Sequence, residues 1–270
     1  MPKSIFIILL LLGTVLWGGA SMANVEQACS LLPNEASESA TFTPRAAIGE
    51  RLVYEAKWGP FKVATGVVTV EGPVEIDGVP CIRFSMDVRT NSFADAIFKV
   101  RDTFTGYATA DLGRSIRYEQ RELHHDESAE IDVSFDHETG QVRMIRDGEE
   151  GEPLEMAPGS LDPISAIFAA RLQEYVADSE FSVAVADGKR SGNLPVKVRG
   201  SEEISTKAGK FNALLMEPDL TDFHSHFKEN KKAYIQLWVA DDEARTPVMM
   251  IAKVKWAKIK IKLEEYERPG

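Results

Sequence analysis

Several groups of residues in this 270-residue chain have types and spacings that could do chemistry. Asp241 and Asp242 stand side by side with Arg245 just beyond. Paired carboxylates suit acid–base work or a hard cation. The stretch Asp241-Asp242-Glu243-Ala244-Arg245 also reads as a hairpin turn, where Asp is favoured because its side chain bonds nearby backbone, and the turn is the better supported reading. His224 and His226 would share one face of a strand and could grip a metal, with Asp222 near, but the sequence offers no third ligand. His124-His125-Asp126 is weaker still, because adjacent side chains on a strand point opposite ways. Cys29 and Cys81 are the only cysteines. In an exported protein such a pair either forms one disulfide, pinning the N-terminal tail to a strand, or stays as two thiols. No nucleophile elbow, P-loop, dinucleotide fingerprint or His-Glu-x-x-His occurs. The sequence therefore names no catalytic residue, no cofactor-binding residue and no metal site. A hydrolase built on Asp241 and Asp242, or on His224 and His226, is the least supported reading.

The elements that must position these residues are mostly strands. From Ala233 to Glu265 the chain alternates: Tyr234, Gln236 and Trp238 against Ile235, Leu237 and Val239, then Ile259, Ile261 and Leu263 against Lys258, Lys260 and Lys262. Period-two alternation with β-branched and aromatic residues marks half-buried strands. Similar runs recur from Gly49 onward, punctuated by Gly59-Pro60, Asp77-Gly78 and Asp147-Gly148, so about a dozen short strands form a curved antiparallel sheet or an open, half β-barrel. Gly66 is expected at a bulge or a close-packing point. A short helix is expected at Ser92–Phe98, capped by Ser92. One amphipathic helix begins at Asp162, its cap, with Pro163 at the first helical position. Ile164, Ile167, Phe168, Leu172 and Tyr175 then form an apolar stripe that packs on the sheet.

Lys3, the apolar run Ile5–Trp17 and Ser21-Met22-Ala23 read as a secretory signal peptide over residues 1–23, removed before Asn24. The run is shorter than the roughly 20 residues of a spanning helix. Cys29 follows Glu26-Gln27-Ala28, which lacks the apolar residue of a lipid-attachment signal. Residues 24–48 are an aperiodic lead-in and residues 49–267 a single β-rich domain. Losing Lys3 takes the formal charge from −11 to −12. So acidic a chain argues against nucleic-acid binding. Against that background Lys253, Lys255, Lys258, Lys260 and Lys262 stand out. They could meet anionic lipid head groups or an acidic partner. The favoured reading is that they protect an exposed sheet edge from aggregation.

Leu52-x-Tyr54-x-x-x-Trp58, Ala64-x-Gly66, Ile97-Phe98-Lys99-Val100-Arg101-Asp102, Pro158-Gly159-x-x-Asp162-Pro163-x-Ser165-Ala166, Thr206-x-Ala208-Gly209-x-Phe211 and Leu237-Trp238-x-x-Asp241-Asp242-x-x-Arg245-x-Pro247-Val248 occur in that order. Together they resemble the bacterial exported family designated domain of unknown function 3108, over about Gly49 to Leu263. The resemblance implies an envelope β-protein and supplies no activity. The sequence thus points to a binding module in the periplasm of a Gram-negative bacterium, without a transmembrane segment in the mature chain. Its concave sheet and helix would enclose a groove lined by Trp58, Phe84, Phe168 and Trp238, suited to an apolar small molecule, a lipid or part of an envelope protein. The rival is a structural, scaffold role.

Overall fold

Alternation sets the register of the last strand. In the computed structural model, which describes residues 47–221, 233–254 and 257–269, Ile259, Ile261 and Leu263 are buried while Lys258 and Lys260 are exposed. The strands are β1 (Arg51–Trp58), β2 (Phe61–Ile76), β3 (Val79–Thr90), β4 (Val100–Thr109), β5 (Ser115–His124), β6 (Glu127–Asp136), β7 (Gln141–Arg146), β8 (Glu149–Glu150), β9 (Leu154–Glu155), β10 (Glu180–Ala186), β11 (Ser191–Ser205), β12 (Lys210–Pro218), β13 (Tyr234–Ala240), β14 (Pro247–Val254) and β15 (Ala257–Glu267). Helix α1 (Ser92–Asp95) follows β3, and α2 (Pro163–Ala170) precedes β10. Neither helix is long and apolar enough to cross a membrane.

All fifteen strands belong to one antiparallel sheet, ordered β10-β11-β12-β13-β14-β15-β1-β2-β3-β4-β5-β6-β7-β8, with β9 also on β7. Along that order the paired strands are sequence neighbours except at β15–β1, where Trp58 lies opposite Ile259 and Arg51 opposite Glu267. The last strand is therefore hydrogen-bonded on both sides, to β14 and to β1. The expectation that its lysines guard an edge is corrected: there is no edge at β15 to guard.

The sheet's ends, β10 and β7–β8, do not pair with each other; the segment from Leu154 to Asp162 spans between them. At one end it is β9, paired to β7. At the other, the Leu161 N–H donates to Ala184 O (2.9 Å) and its carbonyl accepts from the Ala186 N–H (2.9 Å), while Ser160 O accepts from the Ser115 N–H of β5 (3.1 Å). The β10–β11 turn reaches the same region: a Cβ built on Gly188 would lie 2.9 Å from Val133 of β6 and 3.0 Å from Met144 of β7. The sheet is thus an open barrel, its two ends bridged by one irregular segment that satisfies some of the backbone groups which a bare edge would leave open.

Helix α2 crosses the inside of this roll and is fixed at both ends. At its start, Asp162 Oδ1 accepts from the N–H groups of Ile164 (2.9 Å) and Ser165 (3.0 Å). The Ser115 hydroxyl donates to Asp162 Oδ2 (2.6 Å) and accepts from the Asp162 N–H (2.8 Å). Gly106 of β4 makes this seat, since a Cβ there would come within 2.5 Å of the carboxylate. The helix ends at Ala170, sooner than its apolar stripe implies. Arg171, Leu172 and Gln173 N–H groups turn to the carbonyls three residues back, the tighter 3₁₀ pattern. The reason is Arg171, whose side chain is 1 % exposed. Its guanidinium makes a two-pronged pair with Glu50, 2.7 and 2.9 Å. It also donates twice to Ala244 O, at 3.0 and 2.8 Å.

Two local expectations change. Helix α1 is capped by Asn91, not Ser92: Asn91 Oδ1 accepts from the Ala94 N–H while its amide donates to Lys62 O. Gly66 is not a bulge, for it pairs in register with Tyr54 and Val88; the irregularities of β2 fall at Lys57 opposite Lys62 and at Gly72.

Removing one partner of a buried pair leaves an uncompensated charge. Arg171→Met should therefore cost ~3–5 kcal/mol in urea unfolding. Adding Glu50→Gln should recover part of that loss. Equal stability for the single and double variants would show that the two side chains are not coupled.

Candidate functional site

Between α2 and the inner face of the sheet lies a cavity of about 280 Å³. Ile164, Ile167 and Phe168 face it from the helix; Ala56, Ala64, Gly66, Val68, Met86 and Val88 from β1–β3; Val183, Val196, Met216, Leu237 and Ile261 from the other arm. Alternation along each strand delivers these side chains to one face. Gly66 helps make the space. Its φ is not in the left-handed region, and a Cβ there would have no atom nearer than 3.9 Å. Three methionines, Met86, Met216 and Met250, line the walls. Unbranched and polarizable, they adapt to irregular shapes.

Arg171 and Asp187 are the charged residues among the lining, and both are engaged within the protein. Arg171 holds Glu50; Asp187 accepts from the backbone N–H groups of Lys189 and Arg190, at 2.8 and 2.7 Å. The Tyr54 hydroxyl donates to Pro247 O (2.8 Å), and burial pushes its pKa up. The Tyr175 hydroxyl donates to Ala170 O. What the cavity presents to an occupant is therefore almost wholly hydrocarbon and aromatic.

The sequence-predicted residues distribute as follows. Phe168 lines the cavity. Phe84 is fully buried behind it, with ring centroids 4.4 Å apart. Trp58 is half-buried at the end of β1 and packs against the main core. Trp238 faces away: its neighbours Leu237 and Val239 line the cavity, so Trp238 points to the other side. There it packs with Ile204, Met249 and Ile251, and its indole N–H donates to Glu202 Oε1 (2.6 Å). Asp241 and Asp242 are exposed in the β13–β14 turn. Asp242 Oδ1 accepts from the Arg245 N–H (2.9 Å), and Arg245 has φ +48°. The Arg245 guanidinium turns elsewhere, donating to Gln173 O (2.5 Å) and stacking over Tyr175 at 4.3 Å. Cys81 is buried in β3, where burial pushes its thiol up. Cys29, the other half of the expected disulfide, lies outside the described residues, as do His224, His226 and Lys255. Among the described residues no three His, Cys, Asp or Glu side chains are placed to hold a metal ion.

Sequence reasoning missed Arg171, Glu50, Ser115 and Gly106. An arginine within the span of the apolar stripe, directly before Leu172, was the available hint; its partner lies 121 residues away. It also missed a polar group inside the barrel. Asp102 and Glu122 lie directly opposite each other on β4 and β5. His124 Nε2 sits 3.0 Å from Asp102 Oδ2. Glu122 is 7 % exposed and its Oε1 has no hydrogen-bond partner. Desolvation, then the Asp102 charge, pushes the Glu122 pKa up, against the pull of His124, Arg146 and Lys189. Burial, then Arg146, brings Lys189 down to about 8.

The family and fold comparisons agree with this architecture. The chain belongs to the family described as Protein of unknown function (DUF3108), whose model matches residues 53–264. It is similar to a β-barrel-like protein of domain of unknown function DUF1849 from Brucella abortus, with 11 % identity, a TM-score of 0.55, and coverage of 83 % of this chain and 99 % of that one. That identity shows a shared fold alone. LprF from Mycobacterium bovis aligns at 10 % identity over 82 % of this chain and 87 % of its own, but its TM-score of 0.24 carries no argument. No curated protein matches the chain.

Because the Glu122 pKa is raised on folding, its ionisation opposes the fold. That cost is absent below the ordinary carboxylate pKa and grows as pH rises through it. Glu122→Gln should therefore raise stability at pH 7 by on the order of 1 kcal/mol, about 2–4 °C in Tm. At pH 4 the gain should shrink. A pH-independent difference in thermal melts would rule out ionisation as the cause.

Proposed function

We propose that this member of the DUF3108 family is an exported, periplasmic binding module that holds an apolar ligand between helix α2 and the concave sheet. The single observation that carries the reading is the cavity: about 280 Å³, lined by hydrocarbon and aromatic groups, its charged and phenolic members bonded inward. A well-packed interior leaves few voids larger than a water molecule. An apolar void of about 150 Å³ already stays dry and takes up benzene. Scaling from that, this one suits a ligand of about a dozen non-hydrogen atoms, such as a medium acyl chain or a small polycyclic ring. Export rests on the Lys3, Ile5–Trp17 and Ser21-Met22-Ala23 pattern and the expected removal of residues 1–23.

Closure by a segment rather than by strand pairing supports the same reading. The bridge between β10 and β5–β7 rests on a handful of backbone bonds around Leu161. It can open at lower cost than a full ladder, giving an apolar molecule a way in.

The variant that tests this is Gly66→Phe. The position has room for a side chain, and the added ring would occupy the cavity. The unaltered protein should enhance the fluorescence of the small dye 1-naphthylamine and release it to decanoate. Gly66→Phe should bind the dye at least tenfold more weakly while melting at or above the temperature of the parent. Unchanged dye binding in a folded variant would place the dye elsewhere and overturn the reading.

A further inference from the structure

With no edge at β15, the lysine stripe needs another account. The register sets Lys57 opposite both Lys260 and Lys62, and Lys253 opposite Lys258. Like charges directly opposite on neighbouring strands destabilise a sheet. Glu55 relieves part of this, pairing with Lys57 at 3.0 Å and Lys62 at 2.8 Å. Lys253 lies over the Tyr234 ring. Lys262 donates to Ser205 O (2.7 Å). Lys258 and Lys260 are exposed and make no ion pair among the described residues. A basic patch with unanswered charge therefore persists on a chain whose formal charge is −11.

The same end of the sheet carries exposed apolar side chains. Trp58 pairs with Ile259 on one side and Phe61 on the other, so the β1–β2 tip lies beside Lys258 and Lys260. Phe61 is 53 % exposed and stacks on Phe93 of α1, 47 % exposed, with centroids 5.3 Å apart; Ile97, just after α1, is 48 % exposed. These rings stand on a hairpin tip and a one-turn helix, not in a groove. A protruding aromatic pair beside lysines suits the interfacial layer of an anionic bilayer, where aromatic rings settle at head-group depth and each nearby lysine adds attraction. An acidic protein partner would need a pocket shaped to both protruding rings, whereas a bilayer interface takes them without shape matching.

We infer that this end of the barrel docks on an anionic lipid surface, Phe61 and Phe93 entering the interface while Lys258 and Lys260 meet head-group phosphates. The acidic remainder of the protein is repelled by such a surface, so docking is oriented. The inference does not depend on what fills the cavity.

The test is co-sedimentation of the chain from Asn24 with vesicles of phosphatidylcholine, alone or mixed with phosphatidylglycerol. Every strand and helix described lies beyond residue 46, so omitting the leader removes none of them. The protein should bind the mixed vesicles at low salt, bind the neutral ones poorly, and be released as salt screens exposed charges over about 8–10 Å or less. Lys258→Gln with Lys260→Gln should weaken binding by a factor on the order of thirty. Lys57 and Lys62 are left intact because they neutralise buried Glu55. Phe61→Ser with Phe93→Ser should weaken binding at least tenfold, with thermal stability checked in parallel. Gly66→Phe should bind vesicles as the parent does, which separates this inference from the cavity reading. Absence of binding to mixed vesicles at low salt would overturn docking. Binding that survives loss of both phenylalanines would reduce it to charge adsorption and overturn the docking surface.

Discussion

The buried pair between Arg171 and Glu50 is the constraint on which the rest of the structure depends. It joins the end of the helix to the residue just before the first strand, and through Ala244 O it also holds the β13–β14 turn. Those parts come from three distant regions of the chain, and the join lies beside the β15–β1 pairing that brings the two ends of the domain together. Buried ion pairs are costly to desolvate, so this one is weak evidence for stability as such. Its effect is positional. A guanidinium with two carboxylate bonds and two carbonyl bonds has one low-energy placement, because its donors form a rigid fork. The Asp162–Ser115 bonds fix the other end of the helix in the same way.

A helix held at both ends by polar bonds cannot slide deeper into the sheet to fill space. That is why a cavity survives inside the roll. The sheet cannot close over it either, since the spacing of its strands is set by backbone hydrogen bonds rather than by side-chain volume. The side chains that could fill the gap are short or absent along part of β1 and β2: Ala56, Ala64 and Gly66. The cavity is the outcome of two rigid constraints with small residues between them.

The outside of the barrel shows the complementary device. Glu55 is buried on the face opposite the cavity, and Lys57 and Lys62 close around it, with Lys207 at 3.7 Å. These hydrogen bonds and charges, the Lys62 bond first, hold the Glu55 carboxyl down at about 2. Lys207 comes from the β11–β12 turn and also pairs with Glu264. With the Lys262 bond to Ser205 O, this lays the distal hairpin against the outside of the sheet, over Trp238 and Ile251. An aromatic residue that looks cavity-bound in sequence is thereby committed to a second, outer core.

The sequence by itself determined what is local. Alternation fixed which residues of each strand share a face, the Asp162-Pro163 pair fixed where the helix starts, and Asp-Gly pairs fixed turns, since each depends only on neighbours and on backbone sterics. The motifs from Leu52 to Val248 were likewise enough to place the chain in its family. Only the tertiary structure decided which face is inside, that β15 is interior to the sheet, that Trp238 faces outward while Phe168 meets the cavity, and that Arg171 ends the helix on a residue 121 positions away. Period two is the same on either face of a strand, and nothing in a strand's own residues records which distant segment lies against it. That assignment follows from how the whole sheet rolls and what it closes upon.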